Sequence, residues 1–128
     1  MRRFLGVDYG AARVGLATAD DETKLAQAFK TVKPHELVAA ITAEGPFVAI
    51  IVGLPRSLDG RETPQTIAVR RFTADVLDEL EAEIVFQDEA GTSSLAEERL
   101  VESGHKYEKG DIDAEAAALI LQDYLDAL

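Results

Sequence analysis

Three acidic residues that lie far apart in the sequence are the ones best suited to chemistry in this chain. Asp8 ends a short apolar segment, Glu89 follows another, and Asp113 lies at the predicted start of a C-terminal helix. A carboxylate at the mouth of a buried strand is costly unless a partner compensates it. Three converging carboxylates would repel one another, and a divalent cation is the common remedy. The three positions therefore suggest a shared metal site.

The types of side chain available restrict which metal that site could hold. Carboxylates offer only oxygen ligands, which suit Mg²⁺ or Mn²⁺ and not Zn²⁺. Two such ions about 3.5–4 Å apart can activate water and stabilise the leaving oxygen in phosphodiester cleavage. The chain has no cysteine and only two histidines, His35 and His105. A zinc–thiolate centre, a cysteine nucleophile and a histidine-rich centre are therefore excluded.

The first acid lies in a predicted strand–turn–strand, Gly6–Gly15, in which we expect Gly10 to adopt a positive φ. A nuclease could use Asp8 here to bind a metal, and a sugar-kinase or actin-type ATPase could use a similar hairpin to hold phosphate. A turn acid that hydrogen-bonds its own backbone explains the motif equally well. The ATPase is unfavoured because the chain is too short for two domains and shows no second phosphate loop.

Two further segments offer candidate phosphate contacts. The loop after Gly53–Pro55 carries Arg56 and Arg61, whose guanidinium groups can donate paired hydrogen bonds to phosphate. Thr92 and Ser93 precede a predicted helix, where hydroxyl groups and the helix N-terminus suit anions. Each segment also has an ordinary structural explanation, namely solvated arginines in one case and helix capping in the other.

The third acid has a structural explanation of its own. An aspartate in the first turn of a helix interacts favourably with the helix dipole, and Asp113 is predicted to lie there. The small residues that follow it, Ala114 and Ala116–Ala118, would let this helix pack very close to a sheet. Such packing would bring the acid near the strand ends.

The order of predicted elements is β-β-β-α-β-α-β-α-α, with Ser94 expected to cap the third helix and Gly104 to end it. Three antiparallel strands followed by alternating helices and strands predict an α/β fold. We expect a ribonuclease H-like mixed five-stranded sheet with helices on both faces. The predicted elements are strands Arg3–Asp8, Arg13–Ala19, Gln27–Val32, Phe47–Val52 and Ile84–Gln87, and helices beginning near Pro34, Thr63, Ser94 and Asp111.

Length and composition favour a single domain over residues 1–128, with 47% apolar residues available for a core. No apolar run approaches the roughly 20 residues that a membrane span needs, so we expect a cytoplasmic protein without membrane contact. The net charge of −11 is unevenly distributed. Residues 1–71 carry ten Lys or Arg and eight Asp or Glu, whereas residues 72–128 carry three and sixteen. The first part of the chain can therefore still present a basic face to nucleic acid.

In four blocks, the sequence resembles the YqgF family, also called RuvX-like, of pre-16S rRNA nucleases that were earlier described as Holliday junction resolvases. Together the blocks span nearly the whole chain. They are Gly6, Asp8, Gly10, Arg13 and Gly15; Gly53, Leu54, Pro55, Asp59 and Gly60; Asp88, Glu89, Thr92, Ser93 and Ala96; and Lys109, Asp113, Ala116, Ala117, Ile120, Leu121, Gln122, Tyr124 and Leu125.

This resemblance implies a ribonuclease H-like fold, metal-dependent nuclease chemistry and an acidic triad of Asp8, Glu89 and Asp113. It also implies a role in maturing the 5′ end of 16S rRNA. One departure is Ala90, at a position where the family usually has arginine. The loss of a cation beside the site would weaken contacts to phosphate or to the transition state.

We therefore expect a hydrolase that cleaves RNA, using Mg²⁺ or Mn²⁺ held by the three acids. Arg13, Arg56, Arg61, Thr92 and Ser93 are the candidate nucleic-acid contacts. One alternative is a resolvase that acts on a DNA junction with the same acids. Another is a non-catalytic member of the fold that binds RNA or protein. The expected partner is pre-16S rRNA or a DNA junction, and the protein is expected to be a monomer or a homodimer.

Overall fold

Five strands form one mixed sheet in the computed structural model, which describes residues 1–57, 59–89, 92–104 and 106–128, with the side chains of 92–94 outside the description. In space the strands run in the order β3-β2-β1-β4-β5. The first three are antiparallel neighbours, and β4 and β5 continue the sheet parallel to β1. The strands are β1 Arg3–Tyr9, β2 Val14–Asp20, β3 Gln27–Val32, β4 Ala49–Pro55 and β5 Glu83–Glu89.

Four α-helices complete the described elements, and the predicted order of helices and strands is confirmed. No helix in the described ranges is long and apolar enough to cross a membrane. A 3₁₀ turn at Pro34–Glu36 leads into the first helix, and a π-helical segment at Thr73–Leu77 extends the second. The helices are α1 Leu37–Glu44, α2 Pro64–Phe72, α3 Thr92–Ser103 and α4 Lys109–Asp126.

The sheet separates two hydrophobic cores, because successive residues of a strand point to opposite faces. On one face, Leu5 and Val7 of β1 pack with residues of α1 and α2. On the other face, Phe4 of β1 and Ile51 of β4 pack with residues of α4. This arrangement confirms the predicted mixed sheet with helices on both faces.

Helix α4 lies unusually close to the centre of the sheet because glycines face it. A Cβ added to Gly15 of β2 would lie 2.0 Å from the carbonyl oxygen of Asp113, and one added to Gly6 would lie 2.7 Å from that of Ala117. A Cβ on Gly53 of β4 would lie 2.3 Å from a carbon of Ile120. Backbone and side chains of α4 therefore occupy the space that larger residues would need.

Helix α2 begins as predicted but ends differently. Thr63 caps it, with its hydroxyl group accepting a hydrogen bond from the Thr66 amide, and proline occupies its first position. We expected Val69, Phe72, Val76 and Leu80 to share its buried face. After Phe72 the chain instead widens into π-helix, which rotates the following residues so that Leu77 is fully buried and Val76 only partly.

Two predicted details of the helices are wrong, and a third is confirmed. Helix α3 begins at Thr92, so Ser94 lies within its first turn rather than before it. The spacing of Leu37, Val38 and Ile41 predicts that they share the buried face of α1, but only Leu37 and Ile41 are buried and Val38 is 40% exposed. Gly104 does end α3 with a positive φ of 74°, as predicted.

Gly10 does not have the predicted positive φ, which among the described glycines occurs at Gly60 and Gly104. Its amide instead donates to the Arg13 carbonyl oxygen at 2.9 Å. A Cβ on Gly10 would lie 2.9 Å from that same oxygen. The tightness of the turn, not its handedness, therefore favours glycine here.

The close packing of α4 predicts opposite effects for two glycine-to-alanine substitutions. Gly15→Ala forces apart β2 and α4 and should destabilise the protein by about 1–3 kcal/mol or more. Gly110→Ala, near the start of α4, meets its nearest neighbour at 3.5 Å, an ordinary contact. It should be neutral or stabilise by up to about 1 kcal/mol, because alanine favours helix.

Urea denaturation of both variants measures these changes in the free energy of unfolding. A Gly15→Ala protein as stable as the wild type would show that α4 can move away from the sheet at no cost.

Candidate acidic site at the ends of the central strands

Asp8 lies at the end of the central strand and faces α4. It is paired in register with Gly15 of β2, and Phe4, Gly6 and Asp8 alternate along β1 toward the same face. Gly6 directly faces α4, and Phe4 belongs to the core under that helix. The carboxylate of Asp8 is therefore half-buried between the end of β1 and the start of α4.

Glu89 ends β5, two strands away from Asp8 across β4. It is in register with Pro55, the last residue of β4. Val85 of β5 packs in the core under α4, so Glu89, four residues later, points to that same face. The neighbouring residue, Asp88, points to the opposite face, where its Oδ1 atom lies 3.1 Å from Nε of Arg56.

Asp113 lies in the second turn of α4, because that helix begins at Lys109 rather than near Asp111 as expected. The first-turn acid is Asp111, whose Oδ2 atom accepts a hydrogen bond from the Glu108 amide at 2.9 Å. The explanation of Asp113 as a first-turn acid that favours the helix dipole is therefore wrong. Its backbone sits directly over Gly15, the residue paired with Asp8.

The electrostatics of the site are those of an incompletely compensated acidic pair. Burial and, to a smaller extent, the nearby Asp113 carboxylate together raise the pKa of Asp8 to about 6. Asp113 itself has a counterion, since Nε of Arg13 donates to its Oδ2 atom at 2.6 Å. The arginine is 42% exposed, so it can be reached from solvent.

The side chains of this site are of the right type to bind a metal ion, but their arrangement is not that of a complete metal site. All three acids present oxygen ligands on one face of the sheet, and the Arg13 guanidinium shows that a cation is accommodated at Asp113. Within the described residues, however, no three Asp, Glu or His side chains lie close enough together to hold a metal ion as placed. The roles of Asp8, Glu89 and Asp113 as metal ligands and catalytic residues therefore stay a prediction.

The candidate nucleic-acid contacts are mostly engaged with acids. Arg13 pairs with Asp113, Arg56 with Asp88, and Arg61 with Asp59 at 3.0 Å. Of these three arginines, Arg61 is the most exposed, at 84% of its side chain. The side chains of Thr92 and Ser93 lie outside the described residues, as do Ala90 and His105. The predicted roles of these residues in binding are not tested by their placement.

Sequence reasoning missed the ion pair between Arg13 and Asp113, which joins the first hairpin to the last helix across 100 positions. No local pattern encodes such a pair. It also missed the capping box of α4, in which Glu108 is the N-cap and Asp111 lies three residues later, although that spacing is a recognisable local signal.

Comparison with known proteins gives one family and one fold. The family model described as "RuvX: Holliday junction resolvase" matches residues 2–127. A protein of Chloroflexus aggregans is 37% identical over 132 residues, covering 97% of this chain and 93% of its own length. One of Streptomyces coelicolor is 38% identical over 134 residues, covering 98% and 80%. Both carry the name "Putative pre-16S rRNA nuclease".

Among solved structures, Thermus thermophilus RuvC in complex with a Holliday junction substrate matches with a TM-score of 0.59 and 16% identity. The match covers 98% of this chain and 94% of that one. A second structure of the same protein gives a TM-score of 0.57. At this level of identity the likeness shows the fold alone, and it confirms the predicted ribonuclease H-like architecture.

The raised pKa of Asp8 predicts how stability depends on pH. Between about pH 4 and pH 6 the folded protein holds a proton that the unfolded chain has released, so stability falls as pH rises through that window. Asp8→Asn removes this pH-dependent loss of stability. The variant should be more stable than the wild type at pH 7.5 by on the order of 2–3 kcal/mol, and the difference should vanish below about pH 4.

Urea denaturation of both proteins across this pH range measures the effect. A variant that is no more stable than the wild type at pH 7.5 would contradict the idea that Asp8 is held at an electrostatic cost.

Proposed function

Because the chain belongs to the RuvX family, we propose that it is a metal-dependent nuclease that hydrolyses phosphodiester bonds in RNA and matures the 5′ end of 16S rRNA. The observation that carries this proposal is the placement of Asp8, Glu89 and Asp113 on one face of the sheet, at the ends of β1 and β5 and in the second turn of α4. The names of relatives that are 35–38% identical support the RNA substrate. Such a role would place the protein in the cytoplasm.

In this proposal Asp8, Glu89 and Asp113 hold Mg²⁺ or Mn²⁺. When bound, such ions supply an activated water and charge stabilisation for the leaving oxygen. The half-buried Asp8 carboxylate has a pKa of about 6, so it is mostly ionised at neutral pH and is available as a ligand. The ion pair with Arg13 fixes the orientation of Asp113, because Nε donates to one carboxylate oxygen and leaves the other oxygen for the metal.

The substrate contacts would come from the rim of the site. Arg61 is the most exposed of the three candidate arginines and can reach phosphate by exchanging its partner Asp59. Arg56 is held against Asp88, so it would steady the end of β5 as well as contribute positive charge. Thr92 and Ser93, at the start of α3, would complete the phosphate contacts together with Arg13.

A second candidate function is the resolution of DNA junctions with the same acids. The description of the matching family as a Holliday junction resolvase favours it, as does the fold shared with a protein solved on a Holliday junction. A resolvase must make two symmetric cuts, so this function requires a homodimer, whereas an RNA nuclease can act as a monomer. A third possibility is a non-catalytic role in binding RNA or protein. The reason to consider it is Ala90, which stands where the family usually has arginine.

The test is a cleavage assay with two substrates, each in Mn²⁺ and in excess EDTA. One is a 16S rRNA precursor that includes the 5′ leader, and the other is a four-way DNA junction of matched length. We expect cleavage of the RNA that depends on the metal and little cleavage of the junction. Preferential cutting of the junction would favour the resolvase, and no cleavage of either substrate would favour the binding role.

Variants of adjacent acids sharpen this assay. Asp8→Asn and Glu89→Gln should lower turnover by orders of magnitude, because each removes a charged ligand without changing size. Asp88→Asn is the matched control, because Asp88 neighbours Glu89 but faces the other side of the sheet. It should retain turnover at saturating substrate. If Asp8→Asn cleaved RNA at the wild-type rate, the proposed mechanism would be wrong.

Metal binding should also be visible without substrate. Bound Mn²⁺ relieves the repulsion between Asp8 and Asp113, and it stabilises the folded state by mass action. At a concentration one hundred times Kd this amounts to about 2.7 kcal/mol. Thermal unfolding should therefore shift upward with Mn²⁺ in the wild type and much less in Asp8→Asn. Equal shifts in both proteins would place the metal elsewhere.

A further inference from the structure

A cleft lies on the other side of the sheet from the acidic site, beginning at the residue next to Asp8. Tyr9 points away from α4, and its ring stacks on Phe72 of α2 with centroids 4.0 Å apart. Together with the exposed side of α2 it lines an open cleft of about 420 Å³, whose walls include Ile67, Ala68 and Arg71. We call this the Tyr9–Arg71 cleft.

Two features of this cleft bear on what it could bind. Ile67, in the middle of α2, is 51% exposed, so a large apolar side chain faces solvent there. Arg71, one turn further along the helix, forms no ion pair or hydrogen bond through its side chain with any described residue. The acid that shares the cleft, Asp75, lies four positions further on and is not ion-paired with it either.

Arg70, the residue before Arg71, differs from it because its side chain is paired. Nε of Arg70 lies 2.7 Å from Oε1 of Glu62, and its guanidinium group lies 5.5 Å from the centre of the Phe86 ring. Arg56 and Arg61 are also paired with acids. Of the four arginines that the sequence places between residues 56 and 71, Arg71 alone has no ion pair with a described residue.

We propose that the Tyr9–Arg71 cleft binds one unpaired nucleotide of the substrate strand, next to the phosphate held at the acidic site. This inference rests on the proposed function. Bases of single-stranded RNA stack on aromatic rings and on guanidinium planes, and apolar side chains flank them. The cleft offers the Tyr9 ring, the Ile67 side chain and a free guanidinium that can contact the adjoining phosphate.

The geometry of β1 connects the two sites. Asp8 and Tyr9 are consecutive, so their Cα atoms are about 3.8 Å apart while their side chains point to opposite faces of the sheet. A strand that crosses the end of β1 would therefore meet the acids with one phosphate and the cleft with a neighbouring base. Bases inside a duplex are stacked and paired, so they are not free to enter. The cleft thus selects single-stranded RNA beside the cut.

Binding measured without turnover tests this inference. The probe is a fluorescein-labelled ten-nucleotide single-stranded RNA, titrated with protein in EDTA and followed by fluorescence anisotropy. Arg71→Ala should weaken binding about tenfold through loss of stacking and phosphate contact. Arg70→Ala removes the same charge from the next position, where the side chain is already neutralised, and should change Kd by less than about twofold.

A second pair of measurements separates the base contact from general charge. Tyr9→Leu keeps apolar bulk against Phe72 but removes the ring, and Ile67→Ser alters only a side chain that is already half exposed. Both should weaken binding of the single strand several-fold, and neither should weaken binding of a duplex RNA of the same sequence. Circular dichroism and thermal unfolding establish that each variant is folded, and Ile67→Ser carries the test if Tyr9→Leu is not.

Equal losses of RNA affinity in Arg71→Ala and Arg70→Ala would overturn the proposal, because they would show only a general electrostatic attraction to RNA. Equal losses on single strand and duplex would overturn it as well, because no base would then enter the cleft. The result is independent of nuclease activity. If the protein binds single strands through Arg71 but cleaves nothing, the cleft proposal stands and the proposed function is wrong. If it cleaves RNA but binds equally well without Arg71, only the cleft proposal is wrong.

Discussion

The close approach of α4 to the sheet is the constraint on which the rest of the site depends. Three glycines, Gly6, Gly15 and Gly53, leave the central strands without side chains where the helix crosses them. Small alanines on the buried side of α4 complete the contact. Because helix and sheet touch at the level of the backbone, Asp113 is brought to the end of β1. With larger residues at these positions the helix would stand further off, and the acids would be separated.

Holding acids this close costs stability, and the structure offsets only part of that cost. Arg13 compensates Asp113, while Asp8 keeps a raised pKa from burial and from that neighbour. Perturbed pKa values cluster at functional sites, so the Asp8 carboxylate is a candidate functional group. Adjacent residues of β5 face opposite sides of the sheet, so Glu89 points to the face that α4 covers, whereas Asp88 pairs with Arg56 on the other face.

Local signals in the sequence were sufficient for much of this architecture. The strand Gln27–Val32 has its predicted bounds, and Thr63 with Pro64 starts α2 as expected, because capping and alternation are encoded within a few residues. The π-helical segment after Phe72 was not predictable, since tertiary packing decides which of Val76 and Leu77 is buried. The sequence predicted acids at the ends of two strands and at the start of a helix, but the face that they share depends on the order of the strands in the sheet. Their distances and the Arg13–Asp113 pair depend on packing between distant segments, which no local pattern carries.

The ion pair between Arg13 and Asp113 also determines when the site can exist during synthesis. Arg13 is synthesised one hundred positions before its partner Asp113, which lies on the helix that comes after all five strands. Until α4 emerges, the face of the sheet bearing Phe4 and Ile51 has no cover. The nascent chain therefore carries an incomplete acidic centre until α4 has been made. A nuclease assembled in this order has no complete set of acids that could act on RNA before that point.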